Sequence, residues 1–568
     1  MTEKRWARPV PLIGDPTSAA TRAADPAAWA MDPETVQALH RVVGARRDIR
    51  RYRPDPVPEE LLRAVLAAGH QAPSVGHSQP WRFIVITEPD TRDRAAALAD
   101  RERLRQAGRL DPDRRARLLD LQLEGIREAP VGVVVACDRR VPAAGVLGRA
   151  TFPDTDLWSC ACAIENMWLA ARASGLGIGW VTLFRPADLA GLLGLPDGVE
   201  TLGWLCLGWP DERPPEPGLE RHGWSQRLLL DDVIISERWP GGDAPPPVSH
   251  LAAPDQRAVV AGRDTGDDLL VVPGSLGVLD IAVNRVLALD PEPPTTGTLV
   301  IAAADHPVTR YGISAFAASV TDEVYAAAVA GVSVGATTAT GAGLDVEAVR
   351  AAVASPGDLV EDEAMSPPDV EELITAGREL AARLTGRGLI CLGEVGIGNT
   401  TVAAALLHAL LDVPVDEAVG LGAGADAAML ARKREVVSRA VSRGRAVHGA
   451  RLLDPCVALA SVGGPEIALL AGVVLGAAAS RTPVVLDGLV TSVAALLAVR
   501  IEPAVQSILI AGQRSRERAH EMVLTELGLE PLLQLRLRAG EGVGACLAAQ
   551  LLLTGLHARR LTARVSEG

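Results

Sequence analysis

The chain has 568 residues, 48% of them apolar, and a formal net charge of −14. That length exceeds what one core can serve and points to about three domains. The acidic balance excludes a nucleic-acid binder and a basic membrane-surface protein, since both need clustered positive charge.

The longest apolar run, Ile467 to Ser480, is too short to span a bilayer. Behind Met1-Thr2-Glu3-Lys4-Arg5 there is no apolar segment, so no signal peptide is expected. Seven cysteines, an odd number, fit a reducing compartment, and a cytoplasmic location is the expectation. Cys160 and Cys162 read as core residues; no zinc spacing occurs and no metal is expected.

Residues 1–32 are rich in Ala, Pro and Arg and read as a flexible arm. Glu34 to Val43 has helical periodicity and leads into Arg46-Arg47-Asp48-Ile49-Arg50-Arg51, five charges in six residues. This is either a solvated face or an anion site, because arginines at alternate positions can converge on one phosphate. Glu59 to Gly69 is an amphipathic helix. The polar turn from Ala72 to Pro80 presents hydroxyl and amide groups suited to a planar polar ligand, though His77 reads equally well as an exposed loop histidine. A strand is expected over Trp81 to Thr87, then an external helical excursion or lid over residues 90–128. A strand over Val131 to Cys137, a buried helix over Cys160 to Ser174, a turn and strand over Gly175 to Leu183 and a strand over Thr201 to Gly208 complete a domain spanning 33–239.

Several of these segments, in this order, resemble the nitroreductase-type flavoproteins. The carriers are Arg46-Arg47-Asp48-Ile49-Arg50, Ala72-Pro73-Ser74, Ser78-Gln79-Pro80-Trp81-Arg82-Phe83 and Gly177-Ile178-Gly179-Trp180. Asp48, where most nitroreductases have Ser, together with Leu121 to Pro130 and Trp168 to Ala173, is similar to the 5,6-dimethylbenzimidazole synthases. The resemblance implies a homodimer that takes reduced FMN and O₂, consumes the flavin and releases 5,6-dimethylbenzimidazole, with a separate flavin reductase as a further partner. It implies that Arg46, Arg47 and Arg50 hold the phosphate end, that Ser74, His77, Leu123 and Thr182 line the flavin site, and that Asp48 is the acid/base.

Residues 240–266, opening with Gly241-Gly242-Asp243-Ala244-Pro245-Pro246-Pro247, read as a Pro-rich linker, and a second domain is expected over 267–568. Strands alternate there with helices: a helix to Leu289, a strand over Thr298 to Ala303 ending in Asp305-His306, the turn Gly312 to Phe316 and a helix from Val320. The most informative stretch is Leu389 to Thr401, in which a buried strand runs into glycines spaced G-x-x-G-x-G and then a helix over Val402 to Leu411. Such a turn exposes N–H donors at a helix start and suits a phosphate or carboxylate, but it fits neither the dinucleotide nor the P-loop pattern. Leu421 to Asp426 is a second glycine turn, before a helix carrying Lys433. Strand-and-turn units are expected at Val457 to Glu466 and Thr482 to Gly488, a strand at Ser507 to Ala511, and a last glycine turn at Gly540 to Gly544. The fold class is therefore α/β and α+β, with a nitroreductase-like FMN domain followed by a Rossmann-like parallel sheet and a smaller helical part.

Pro273 to Gly277, Gly393 to Thr401, Gly422 to Lys433, Gly463-Gly464-Pro465-Glu466, Asp487-Gly488 and Gly540-Glu541-Gly542 resemble the nicotinate-nucleotide–dimethylbenzimidazole phosphoribosyltransferases. The resemblance implies Glu541 as the base, with Glu394, Gly396, Lys433 and Ser314 binding nicotinate mononucleotide and dimethylbenzimidazole. From the residues alone, Glu541 could be a surface turn residue and Lys433 a solvated helix lysine. The sequence departs from that family at Pro307, at Asp322-Glu323 and at Gln513, and shows no valine-rich strand between Gly331 and Asp358. Taken together, the halves imply a bifunctional enzyme of the cobalamin lower ligand, the first making what the second consumes. The alternative is an NAD(P)H-dependent nitro or flavin oxidoreductase joined to an inactive, sensing or scaffolding domain.

Overall fold

The computed structural model describes residues 17, 19–120, 125–241, 248–290, 292–354, 356–422 and 426–564. The chain forms two compact units, Trp29–Gly242 and Asp243–Gly568, the second joined by the described residues before Trp29.

The first unit is built on a four-stranded antiparallel sheet of β1 (Trp81–Ile86), β2 (Val131–Asp138), β3 (Gly177–Val181) and β4 (Val199–Gly208), in the order β1-β2-β4-β3. The central strand β2 is a continuous apolar run, Val-Gly-Val-Val-Val-Ala-Cys, because both of its faces are covered. Helices Glu59–His70 and Thr155–Ala173 cover one face through Val65, Ile164 and Met167. Helix Pro89–Ala107, the first part of the expected excursion, covers the other through Ala95, Ala96 and Ala99. The segment after helix Pro33–Ala45 lies along β3: Asp48 forms an isolated parallel bridge with Ile178, and the Ile49 N–H donates to the Ile178 carbonyl at 3.1 Å.

The second unit holds a five-stranded parallel sheet of β5 (Gly297–Ala303), β6 (Asp345–Arg350), β7 (Leu389–Val395), β8 (Val484–Leu486) and β9 (Leu509–Ala511), ordered β6-β5-β7-β8-β9. The strand order reverses at β5/β7, and in open α/β sheets the crevice at such a reversal, beyond the carboxyl ends, is where ligands bind. A helical layer around Pro367–Leu384, Asn399–Leu411, Pro465–Ala479 and Leu489–Ile501 forms the larger core. Two helices whose buried residues run all round, Pro465–Ala479 and Leu489–Ile501, lie at its centre.

Four expectations change. Val457 to Ala460 is not a strand but part of helix Pro455–Val462: the Asp454 carboxylate accepts from the Cys456 and Val457 N–H groups, and Pro455 fits the first helical position. Between Gly331 and Asp358 there is a strand, β6, whose mostly half-buried Asp-Val-Glu-Ala-Val-Arg pattern is that of a sheet edge. The supposed linker 240–266 contains helix Gln256–Asp267, capped by Asp255, while its Pro-rich part, residues 242–247, lies outside the described residues. In the N-terminal arm, residues 1–16 and 18 lie outside the described residues, but Ala19–Ala24 is helical and Arg22 pairs with Asp264 at 3.4 Å. Among the described residues one stretch, Val320–Gly341, is long and apolar enough by length and composition to cross a membrane. It consists of two helices, Val320–Val329 and Val334–Gly341, broken at Gly331 with φ 75°.

Candidate active sites

In the first unit the Asp48 carboxylate is held on both sides. One oxygen accepts from the Trp180 N–H at 3.2 Å and the other from the Arg50 guanidinium. Arg46 stacks over the Trp168 ring at 4.6 Å, with Glu165 as its ion-pair partner only at 3.9 Å. Arg47 differs from the expected phosphate ligand: its guanidinium donates to the carbonyls of Gly44, Arg46 and Pro215 at 2.7–2.8 Å and so closes the loop. Glu212 was not singled out in the sequence, yet its carboxylate accepts from the N–H groups of Arg50 (2.6 Å) and Arg51 (3.2 Å) and fixes the same loop. A lone acidic residue far along the chain carries no local signal of that role.

The polar turn is built on Ser74, whose hydroxyl accepts from the Gln79 N–H at 3.0 Å. His77 and Gln79 both adopt positive φ (54° and 48°), and exposed His77 lies 3.2 Å from the Gln79 amide nitrogen. Exposed Thr182 directly follows β3, whereas Leu123 lies outside the described residues. The two groups are anchored to one helix at separate points. The Val75 N–H donates to Ser159 Oγ at 3.1 Å, and Trp168 Nε1 donates to the Arg47 carbonyl at 3.3 Å. Those anchors are nine residues apart, about 14 Å along the helix.

The second unit gathers its candidates at the carboxyl ends of β5, β7 and β8. Glu394 is the last residue but one of β7, and its carbonyl accepts the Glu541 N–H at 3.1 Å. Glu541 has φ 60°, a conformation that costs a non-glycine residue energy and persists only when its surroundings enforce it. The enforcement is visible: a methyl on Gly393 would lie 2.6 Å from the Glu541 carbonyl carbon, so only a glycine strand lets the turn sit so close. The Glu541 carboxylate accepts from the Gly335 N–H at 3.1 Å, in the first turn of helix Val334–Gly341, where the dipole favours a negative charge. Asn399, opening the next helix, donates to the Glu394 carboxylate.

Lys433 is buried; Nζ donates to the Leu421 carbonyl at 3.2 Å, and burial lowers its pKa while Glu517 opposes that shift. Glu517 accepts from the Gly422 N–H at 2.8 Å; residues 423–425 of this glycine turn lie outside the described residues. The Ser314 turn is tied in from the side, since Arg432 Nε donates to the Gly312 carbonyl at 2.9 Å and Ser314 Oγ accepts from the Phe316 N–H at 3.1 Å. The departures are also accommodated. Pro307 starts a single helical turn, Pro307–Tyr311, where no N–H is needed. Asp322 pairs with Arg350 at 2.9 Å, and buried Thr321 accepts from the Ile397 N–H at 3.1 Å.

Carboxylates dominate the electrostatics. Burial, and then the charges of Asp487, Glu466 and Glu541, push the Glu394 carboxyl well above the ordinary carboxylate range. Asp487, at the end of β8, is pushed up to about 6 by burial, although one oxygen accepts from the N–H groups of Gly544 (2.8 Å) and Ala545 (3.2 Å) and from the Gln513 amide (3.1 Å). Asp487 thus caps helix Val543–Leu561 and anchors the Glu541 turn, a role that the Asp487-Gly488 motif alone did not reveal. His306 and Glu466 form a buried pair, Nε2 to Oε1 3.1 Å, directly behind the Gly396 turn.

With this geometry in view, comparison with known proteins is informative for both units. A phosphoribosyltransferase family model matches residues 251–567, more than half of the chain, and a nitroreductase family model matches residues 43–209. A nicotinate-nucleotide–dimethylbenzimidazole phosphoribosyltransferase of Pelodictyon phaeoclathratiforme is 40% identical over 51% of this chain and 87% of its own length. A 5,6-dimethylbenzimidazole synthase of Rhodospirillum rubrum is 42% identical over 34% of this chain and 93% of its own. The crystal structure of CobT from Thermus thermophilus superposes with a TM-score of 0.52 at 35% identity, covering 55% of this chain and all of that one. The chain therefore belongs to the nicotinate-nucleotide–dimethylbenzimidazole phosphoribosyltransferase family through its second unit and to the nitroreductase family, beside the 5,6-dimethylbenzimidazole synthases, through its first.

Proposed function

We propose that this chain is a bifunctional enzyme of cobalamin lower-ligand assembly. The first unit converts reduced FMN and O₂ to 5,6-dimethylbenzimidazole; the second transfers the phosphoribosyl group of nicotinate mononucleotide to it, giving α-ribazole 5′-phosphate and nicotinate. The observation that carries the reading is the Glu541 turn, which sets a carboxylate at the carboxyl edge of the sheet, beside Glu394 and the switch point.

In the transferase half the leaving group is a pyridinium, already positive, so no acid is needed to expel it. What the chain must supply is a base for the azole N–H and a geometry that presents the ring nitrogen to C1′. Glu541 is assigned as that base. The exposed side chains of Val332 and Val334, next to Gly335, offer apolar surface for a flat aromatic ring beside it. Glu394, the Gly396 turn, Ser314 and Lys433 are assigned to the nucleotide, Lys433 for its charge.

In the synthase half the residues present fit FMN. Arg46, stacked on Trp168, and Arg50 offer cationic groups for a phosphate, while the Ser74–Gln79 turn offers hydroxyl and amide groups for the ring edge. When bound, reduced FMN reacts with O₂ and is the source of the benzimidazole ring. Asp48, held by Trp180 N–H and Arg50, moves protons on and off the ligand. Arg47 and Glu212 keep the loop in place. The flavin site is assigned to two copies of the chain, as the resemblance to the nitroreductase-type flavoproteins implies. The exposed apolar side chains Val36, Leu39 and Val43 of helix Pro33–Ala45, which buries no residue within the unit, support that dimer. The identity to a synthase, together with Asp48, speaks against a plain flavin oxidoreductase.

The two half-reactions test the assignment separately. Nicotinate release from nicotinate mononucleotide should require added dimethylbenzimidazole. Dimethylbenzimidazole should appear from reduced FMN only in air. Rapid nitroarene reduction without flavin loss would count against the synthase half.

A further inference from the structure

Glu517 has no part in the assignments above, yet it ties down the turn on which Lys433 rests. Lys433, on helix Ala427–His448, is 5% exposed. An ammonium carries three N–H donors. Among the described residues that of Lys433 has one acceptor, the Leu421 carbonyl at 3.2 Å, and no ion pair. A buried cation so sparsely partnered suits an anionic ligand. A third element reaches the same point: a methyl on Gly422 would lie 2.7 Å from Lys433 Nζ and 3.3 Å from Thr400 Oγ1, in the first turn of helix Asn399–Leu411. A glycine turn, a helix start and a buried cation thus meet in one corner.

Glu517 reaches this corner from the segment after β9. That segment is itself anchored, since the Ser515 N–H donates to the buried His520 ring at 3.0 Å. Glu517 stands immediately before helix Arg518–Glu526, but its side chain does not cap that helix. One carboxylate oxygen instead accepts from the Gly422 N–H at 2.8 Å, and a methyl on Gly420 would lie 1.5 Å from the other. The carboxylate therefore lies against bare backbone on both sides of Leu421, the residue whose carbonyl holds Lys433. We propose that Glu517 is a positioning residue for phosphoribosyl transfer: its hydrogen bond to the Gly422 N–H fixes the backbone of residues 420–422 and, through the Leu421 carbonyl, sets the Lys433 ammonium where the phosphate of nicotinate mononucleotide binds. The proposal rests on the transferase reading and on Lys433 as the cation for that phosphate. The phosphate is remote from C1′, so a contact with it is made alike before and in the transition state. Its loss raises KM and spares kcat.

The test is the kinetics of nicotinate release by the full-length chain, the unaltered protein first being shown to form product from dimethylbenzimidazole and nicotinate mononucleotide. Glu517→Ala removes the acceptor, and Gly420→Ala keeps the charge but pushes the carboxylate off the turn. Each should raise KM for nicotinate mononucleotide about 10-fold or more. Glu517→Gln keeps an oxygen for the Gly422 N–H and should raise it less than about 3-fold. In all three, kcat and the KM for dimethylbenzimidazole should stay within a factor of about three of the parent. A merely structural role would lower kcat and melting temperature and move both KM values together, and that pattern overturns the proposal. So does a KM for nicotinate mononucleotide within about twofold of the parent in whichever alanine variant folds, or a rise in Glu517→Gln as large as in Glu517→Ala. Absence of product from the unaltered chain would instead overturn the transferase reading itself.

Discussion

Asp487→Asn isolates the cost of a buried charge at the transferase site. Asp487 is 2% exposed, and its carboxyl is raised from 3.8 to about 6, with burial as the largest cause. At about 1.36 kcal/mol per unit, ionising it in the folded state costs about 3 kcal/mol relative to the unfolded chain. The sign follows from the direction of the shift. Below the unfolded value the acid is neutral in both states and costs nothing; as pH rises through about 6 the folded state must ionise against its surroundings, and stability is lost. About 2 kcal/mol of that loss falls between about pH 4.5 and about pH 8. Asparagine keeps an oxygen for the Gly544, Ala545 and Gln513 donors but carries no charge. The transition of the second unit, followed by calorimetry, should therefore fall less over that pH range in the variant, by about 4 °C at about 2 °C per kcal/mol. Removing the Asp487 charge also relieves Glu394, which acts in the same direction. A variant that loses as much stability as the parent over this range, or that is destabilised equally at every pH, would refute the reasoning and show that the hydrogen bonds, not the charge, matter there.

Glu541→Gln should lower kcat for nicotinate release about 100-fold or more, leaving flavin breakdown by the same chain unchanged; both rates can be read by chromatography. Asp48→Asn should retain FMN binding, measured by fluorescence quenching, and lose about 100-fold or more of the dimethylbenzimidazole-forming rate, because the amide can keep the Trp180 N–H contact but cannot take a proton. Gly335→Ala places a methyl 2.6 Å from Glu541 Cβ, so kcat for transfer should fall about 10- to 100-fold. A rate within a factor of about two of the parent would show that the Glu541 turn tolerates displacement.

Much of the fold could be read from the sequence because each sheet carries its period openly. The all-apolar Val131 to Cys137 and Leu389 to Leu392 runs read as covered strands, and the glycines after β7 marked the turn that carries Glu394 and Gly396. The errors have local causes. Val457 to Ala460 is apolar enough for either state, and its helix is decided by the Asp454 cap and Pro455. The half-exposed β6 has no apolar run to announce it. At the sites, residues on the glycine turns were legible, since turn chemistry is local. The roles of Glu212, His306, Asp487, Gln513 and Glu517 were not, because each acts on a segment far away in the chain. Arg47 sits inside a convincing charge pattern, yet three backbone carbonyls take up its guanidinium.

The central claim, that one chain both makes and consumes the benzimidazole, is tested by supplying the purified protein with isotopically labelled reduced FMN, air and unlabelled nicotinate mononucleotide, and weighing the nucleotide product. The account predicts α-ribazole 5′-phosphate carrying the flavin label, together with an equal amount of free nicotinate. Labelled dimethylbenzimidazole that accumulates without entering the nucleotide, or flavin that survives intact, would contradict it.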